Sequence, residues 1–255
     1  MARETVAERK ARAVKVLERL GEAMPEARIE LDYQTPLQLL TAVILAAQCT
    51  DKRVNRVTPA LFQRYPDARA LAGADTPELE KMIHSCVFFR AKAKALKGMA
   101  AAVAERHGGE VPTARAELAA LPGVGPKTAG VVTVHLGGEP AFPVDTHVKR
   151  LSGRLGFTRK EDPSRIEEDL QALVPRGLWA KGHQLLVWHG RRTCFARSPA
   201  CERCVVRTLC PRIGVAQAKP RVVKGSRPPR SAAVVPPAPG RRGSRQPLRR
   251  QLAAR

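Results

Sequence analysis

An all-α fold is what this sequence predicts, on three observations. Apolar residues recur at helical spacing in segment after segment, as in Val54, Val57, Leu61 and Phe62, or Ile166, Leu170 and Leu173. No stretch shows the period-two alternation of a half-buried strand. The segments are punctuated as helices are, with Asp or Thr before Pro at their starts and Gly at their ends.

The stretch from Met1 to Leu20 is charged throughout and places Val6, Val14, Leu17 and Leu20 on one stripe, which reads as a helix and not as a signal peptide. Gly21 to Thr35 reads as a connection. Pro36 opens an apolar helix reaching about Gln48. Its most apolar run, Leu37 to Ala47, is well short of the ~20 residues a bilayer span needs, so it is expected to be buried. A helix from about Asp51 to Tyr65 follows, with Pro59 as a point where it could split. Thr76 and Pro77 read as an N-cap and first helical residue for Glu78 to His84. The apolar patch Val87-Phe88-Phe89-Arg90 precedes a helix from Lys92 to His107, stopped by Gly108-Gly109.

Leu121-Pro122-Gly123-Val124-Gly125-Pro126-Lys127-Thr128-Ala129-Gly130 reads as a hairpin between a helix from Ala114 to Leu121 and one from Pro126 to Leu136. Gly123 and Gly125 permit positive φ and leave no Cβ over the backbone, so an external group can approach the amides. Free N–H groups at the second helix's start add to them, an anion site suited to a phosphodiester. Lys127 is the second residue of that helix, where the dipole disfavours an ammonium and makes the neutral, nucleophilic amine easier to reach.

After the hairpin, Asp145 in Val144-Asp145-Thr146-His147-Val148-Lys149-Arg150 is expected to cap a helix ending near Gly156. Asp162-Pro163 starts another, ending before Pro175. Leu178 to His189 is the last long one, closed by Gly190. Residues 213–255 are dominated by Pro, Arg, Ala, Gly and Ser without apolar periodicity, the composition of a disordered basic tail.

Charge narrows the function class. Lys and Arg number 45 against 23 Asp and Glu, a net charge of +22, so a polyanion is the expected partner. Residues 211–255 hold twelve of those cations and no acid, which leaves +10 on residues 1–210. With neither leader nor membrane span, a soluble intracellular protein is expected, and six cysteines there are better taken as ligands or free thiols than as disulfides. Cys194, Cys201, Cys204 and Cys210 form C-x6-C-x2-C-x5-C within seventeen residues, a set that would hold a metal centre in place of a local apolar core. Chemistry alone admits zinc or a cubane iron-sulfur cluster, though the spacing is unlike a zinc ribbon with its two C-x2-C pairs. Cys49 and Cys86, far away, read as buried free thiols. His84, His107, His135, His183 and His189 have no ligand spacing and read as packing or surface residues.

Together the hairpin LPGVGPKTAG, the segment VDTHVKR and the four cysteines resemble the endonuclease III family of helix-hairpin-helix, [4Fe-4S] DNA glycosylases, over roughly residues 5–212. The resemblance implies a two-lobed helical fold: a six-helix barrel at 30–140 carrying the hairpin, and an iron-sulfur lobe made from 1–29 and 141–212. It implies a bifunctional DNA glycosylase and abasic-site lyase of base excision repair, acting on oxidised pyrimidines in duplex DNA, with Lys127 as Schiff-base nucleophile and Asp145 as catalytic carboxylate. Gln48 would fill the space of the flipped nucleotide and Phe88 would be the apolar wedge. Gly123, Gly125, Thr128, His147, Arg192 and Arg197 would contact DNA, and the four cysteines would hold the [4Fe-4S] cluster. Two positions depart from the family pattern: Val87 stands where glycine is usual, and Gly130 replaces a frequent asparagine. A cytoplasmic, nucleoid-associated monomer is implied. The alternatives are a monofunctional mismatch glycosylase, whose relatives usually lack lysine at the Lys127 position, and a non-catalytic iron-sulfur DNA-binding protein.

Overall fold

Thr5 begins the first helix by a reciprocal cap: its hydroxyl accepts from Glu8 N, and the Glu8 carboxylate accepts from Thr5 N at 2.8 Å. A computed structural model describes residues 4–215, which belong to one compact unit. Among the described residues there are eleven α-helices and three short 3-10 turns, and no strand. The helices are α1 (Val6–Ala23), α2 (Pro36–Ala46), α3 (Asp51–Arg64), α4 (Ala68–Ala72), α5 (Thr76–Ile83), α6 (Phe89–Arg106), α7 (Arg115–Ala119), α8 (Pro126–His135), α9 (Thr146–Arg154), α10 (Pro163–Leu173) and α11 (Trp179–Arg192). None is long and apolar enough to cross a membrane.

Two hydrophobic cores organise them. One is built on α2 to α8, with Leu39, Leu40, Leu45, Leu79, Leu96, Met99 and Val132 fully buried or nearly so. The other combines α1 with α9 to α11 around Phe142, Phe157, Ile166, Leu170 and Leu186. The chain therefore leaves the second core after Ala27 and returns to it at Phe142.

Several boundaries differ from expectation, each for a local reason. The buried face of α1 is Ala13, Val16, Leu17 and Leu20, while Val6 is 64% exposed. Pro59 does not split α3, which stays continuous through it. Asp75, not Thr76, caps α5: its carboxylate accepts from Glu78 N at 2.9 Å. α6 starts three residues early, since Phe88 takes the left-handed conformation (φ 60) and turns the chain directly into helix. The short α4, capped by Asp67, was not anticipated; five residues give too little periodicity to read. Gly190 does not end α11, which runs on to Arg192. A Cβ there would stand 2.8 Å from His147 Nδ1, so this glycine lets α9 approach α11. The expectation of a disordered tail at 213–255 falls almost entirely outside the described residues.

Candidate active site

The hairpin forms at the expected place, between α7 and α8. Gly123 has φ +75, and a Cβ there would lie 2.5 Å from the Cβ of Ala95 on α6, so conformation and packing both require glycine. Gly125 differs from expectation: with φ −84 and ψ 170 it is an ordinary extended N-cap with open space around its Cα. Pro126 follows in the first turn, Lys127 is exposed, and Thr128 is half-buried behind it.

Asp145 caps α9, accepting from Val148 N at 2.8 Å. It is half-buried at the end of a strap whose residues Ala141 to Val144 are all buried. The strap lies on α8: a Cβ on Gly130, one turn past Lys127, would meet Pro143 Cγ at 3.4 Å. A single Cβ would fit there in ordinary contact, so the strap crosses α8 closely without requiring glycine at 130. His183 of α11 is buried behind the same strap. Burial pushes His183 down to about 4, and its Nδ1 lies 2.8 Å from the Pro143 carbonyl; it is a neutral imidazole that donates to the strap.

Gln48 and Phe88 are brought together. Both are exposed and both are left-handed (φ 53 and φ 60), and with Gly123, Ala95 and Lys92 they line one open groove of about 310 Å³. Left-handed backbone costs a non-glycine residue about 1–2 kcal/mol, and such strain persists where surrounding structure holds it. Here Lys92 holds it: its buried Nζ donates to the carbonyls of Leu45 and Ala47, both at 2.7 Å, at the end of α2. Burial pushes the Lys92 amine down.

The remaining expected contacts are scattered. His147 is half-buried against Gly190, with Nδ1 3.1 Å from Arg150 Nη2, and burial lowers its proton affinity. Arg192 is engaged within the protein, paired with Glu30 at 2.5 Å and lying 3.6 Å over the Trp188 ring. Arg197 is exposed in the cysteine loop. Cys86 is buried and Cys49 half-buried, both free. His84 is exposed.

Cys194, Cys201, Cys204 and Cys210 are all free thiols lining one cavity, walled by Leu151, Leu155 and Val206. Arg154 Nη1 donates to Cys194 Sγ from 3.3 Å, as a thiolate there would accept, and His189 Nε2 stands 3.4 Å from Cys204 Sγ. Four thiolates on one zinc would stand about 3.8 Å apart. Among the described residues no three or more His, Cys, Asp or Glu side chains are gathered closely enough for one ion. Arg150 ties the loop to α9, donating from Nη2 to the carbonyls of Gly190 and Cys194, both at 3.0 Å.

Sequence reading missed Lys92, His183, Arg115 and Glu167. Lys92 and His183 carried a signal, each a lone polar residue on an apolar helical face, beside Leu96 and Met99 or Leu186 and Val187. Arg115 and Glu167 meet across 52 positions and carried none.

A helix-hairpin-helix that presents a lysine, a facing aspartate cap and a four-cysteine loop define a helical DNA-repair enzyme class. Residues 41–176 match the family model of the HhH-GPD superfamily of base excision DNA repair proteins, and residues 194–210, which begin and end on cysteines of the loop, match the iron-sulfur binding domain of endonuclease III. The chain is 53% identical to the endonuclease III of Synechocystis sp. over 207 residues, covering 81% of this chain and 94% of that one. It superposes on a trapped endonuclease III–DNA covalent intermediate with a TM-score of 0.76 and 39% identity, covering 80% of this chain and 96% of that one. A thermostable thymine-DNA glycosylase is more distant, with a TM-score of 0.69 and 25% identity over 80% of this chain and 95% of that one. The chain belongs to the endonuclease III family. It is a base excision repair DNA glycosylase with abasic-site lyase activity, and its cofactor is a [4Fe-4S] cluster.

Proposed function

We propose that Lys127 and Asp145 carry the chemistry and that the substrate is duplex DNA bearing an oxidised pyrimidine or an abasic site. The observation that carries this is that α8, whose first turn presents the exposed Lys127 amine, packs at Gly130 against Pro143 of the strap that ends in the Asp145 cap of α9. Breaking an N-glycosidic bond builds positive charge at C1′, which the Asp145 carboxylate stabilises. The Lys127 amine, giving up a proton, attacks C1′ as the base departs with one. The C1′–O4′ bond then breaks with a proton to O4′, opening the sugar to an iminium that acidifies a C2′ proton; loss of that proton expels the 3′ phosphate by β-elimination, and water releases the lysine.

The hairpin's glycine amides and the start of α8 would receive the phosphodiester, with Gly123, Gly125 and Thr128 lining the approach. Gln48 and Phe88, on one groove beside Gly123, would enter the stack as the target nucleotide leaves it. A cavity of about 900 Å³ lined by Tyr33, His135, Gln184 and Trp188 offers room for an extruded base. His147 and Arg197 would add contacts at the α9 and cysteine-loop side. The pairing of Arg192 with Glu30 gives it a structural share in this surface.

Cys194, Cys201, Cys204 and Cys210 would ligate the cluster, which takes the place of an apolar core and fixes the loop against α9. The two hydrophobic cores support a division into a barrel lobe at 30–140 and a cluster lobe of 1–29 with 141–212. The protein works as a monomer in the cytoplasm, at the nucleoid where its substrate lies.

Borohydride trapping on duplex DNA with a single thymine glycol tests the reading, with wild type beside Lys127→Ala. A covalent complex with wild type alone is expected, with duplex affinity retained in the variant. Trapping by Lys127→Ala would remove this lysine from the mechanism; trapping of an abasic site but not thymine glycol would leave the lyase and overturn the base preference.

A further inference from the structure

Residues 141–145 reach from the second core to the cap of α9 without a helix of their own, and Ala141 to Val144 are buried. Buried backbone polar groups need partners, and here α10 and α11 supply two of them, while the strap's last side chain caps α9. Phe142 N donates to Glu167 Oε1 of α10 at 3.2 Å, the Pro143 carbonyl accepts from His183 of α11, and Asp145 receives Val148 N. Glu167 does more than this. Its two oxygens also accept the fork of Arg115, from Nη1 at 2.9 Å and Nη2 at 2.8 Å, and its side chain is only 12% exposed.

Arg115 is the first residue of α7, the helix that enters the hairpin. Its guanidinium lies against α8 beside the strap: a Cβ on Gly130 would be 3.5 Å from Arg115 Nη2 and 3.4 Å from Pro143 Cγ. One carboxylate thus joins the hairpin that presents Lys127 to the strap that presents Asp145. Two parallel charge-assisted bonds fix orientation as well as distance, which a single point contact does not.

We propose that Arg115 and Glu167 are positioning residues for the glycosylase and lyase reaction, a clamp that sets the separation between the Lys127 amine and the Asp145 carboxylate. The proposal rests on the assignment of the chemistry to those two residues. Neither clamp residue touches DNA or a reacting atom; both act through the hairpin and the strap. Displacements of about 1 Å in such a pair cost on the order of a hundredfold in rate.

The test is single-turnover borohydride trapping with Glu167→Gln and Arg115→Lys, each holding its cluster, beside wild type and Lys127→Ala. Gln keeps one acceptor but loses the second, and Lys keeps the charge but loses the fork. Both are expected to lower the maximal trapping rate by roughly 10- to 100-fold and to leave the half-saturating duplex concentration unchanged. The loss should persist well below each variant's unfolding midpoint. A wild-type maximal rate, a change confined to the half-saturating concentration, or recovery of rate on cooling would overturn the clamp. If Glu167→Gln does not fold, Arg115→Lys decides alone. Trapping by Lys127→Ala, or none by wild type, would sink the underlying lysine assignment; lysine-dependent trapping with normal clamp variants would sink the clamp only.

Discussion

Lys127 and His183 stand in opposite settings. Lys127 is exposed at a helix start, where its amine can meet an incoming sugar. His183 is buried and held neutral, with Asp145, His135 and Lys127 as the ionisable groups facing it. Its proton affinity is lowered to about 4 in the folded protein, against about 6.5 when unfolded. Above pH 6.5 neither state is protonated there and the residue contributes nothing to pH dependence. As pH falls from 6.5 towards 4 the unfolded chain takes up a proton that the folded one refuses, so stability is lost, by about 3 kcal/mol in all. Urea unfolding at pH 7, 5.5 and 4.5 should show wild type losing stability faster than His183→Gln, which can still donate to Pro143. Parallel curves would mean that His183 does not titrate in this window.

At the scale of helices, close approach decides what propensity alone would not. Gly182 and Gly190 sit inside α11, where alanine is favoured by about 1 kcal/mol. A Cβ on Gly182 would meet the Phe142 ring at 3.1 Å, and one on Gly190 would meet His147 Nδ1 at 2.8 Å and Arg150 Nη2 at 3.1 Å. Gly190→Ala should therefore destabilise by roughly 1–3 kcal/mol despite the better helix former, and should loosen the bonds from Arg150 to the cysteine loop. A lower thermal midpoint with faster loss of the visible cluster absorbance is the expected outcome. A stabilised variant would show that α9 can retreat without cost.

Across the whole molecule, charge lies both in the folded body and in residues outside it. Residues 216–255 hold eleven Lys or Arg and no acid. If they meet phosphates, removing them should make the decline of DNA affinity with salt shallower, by about 0.9 in logarithmic slope for each phosphate no longer neutralised, while excision at low salt stays close to wild type. An unchanged slope would mean that these residues do not reach the duplex. Within the body, cations are spent on structure as well as on the surface: Arg191 and Arg192 bind Glu30, and Arg191 also binds Asp51, joining α11 to the segment before α2 and to the start of α3. Net charge forecasts the partner but not which arginines face it.

What the amino-acid order determined by itself is local. The hairpin between Leu121 and Pro126, the cap at Asp145, the four-cysteine spacing and the apolar faces of α2 and α10 follow from glycine, proline, short oxygen side chains and helical periodicity, all of which act over a few residues. That is why the fold class was legible, and with it the places of the residues proposed to bear the chemistry. Tertiary structure alone decided what those residues lean on. Arg115 finds Glu167 across 52 positions, Lys92 reaches the end of α2 across 47 and 45, and His183 meets Pro143 across 40. It also decided that Gly190 is a contact rather than a stop, and that Phe88 turns left-handed. Such pairings arise because buried polar groups take whatever partner the packed chain brings within reach, and that geometry is set by how the two cores close.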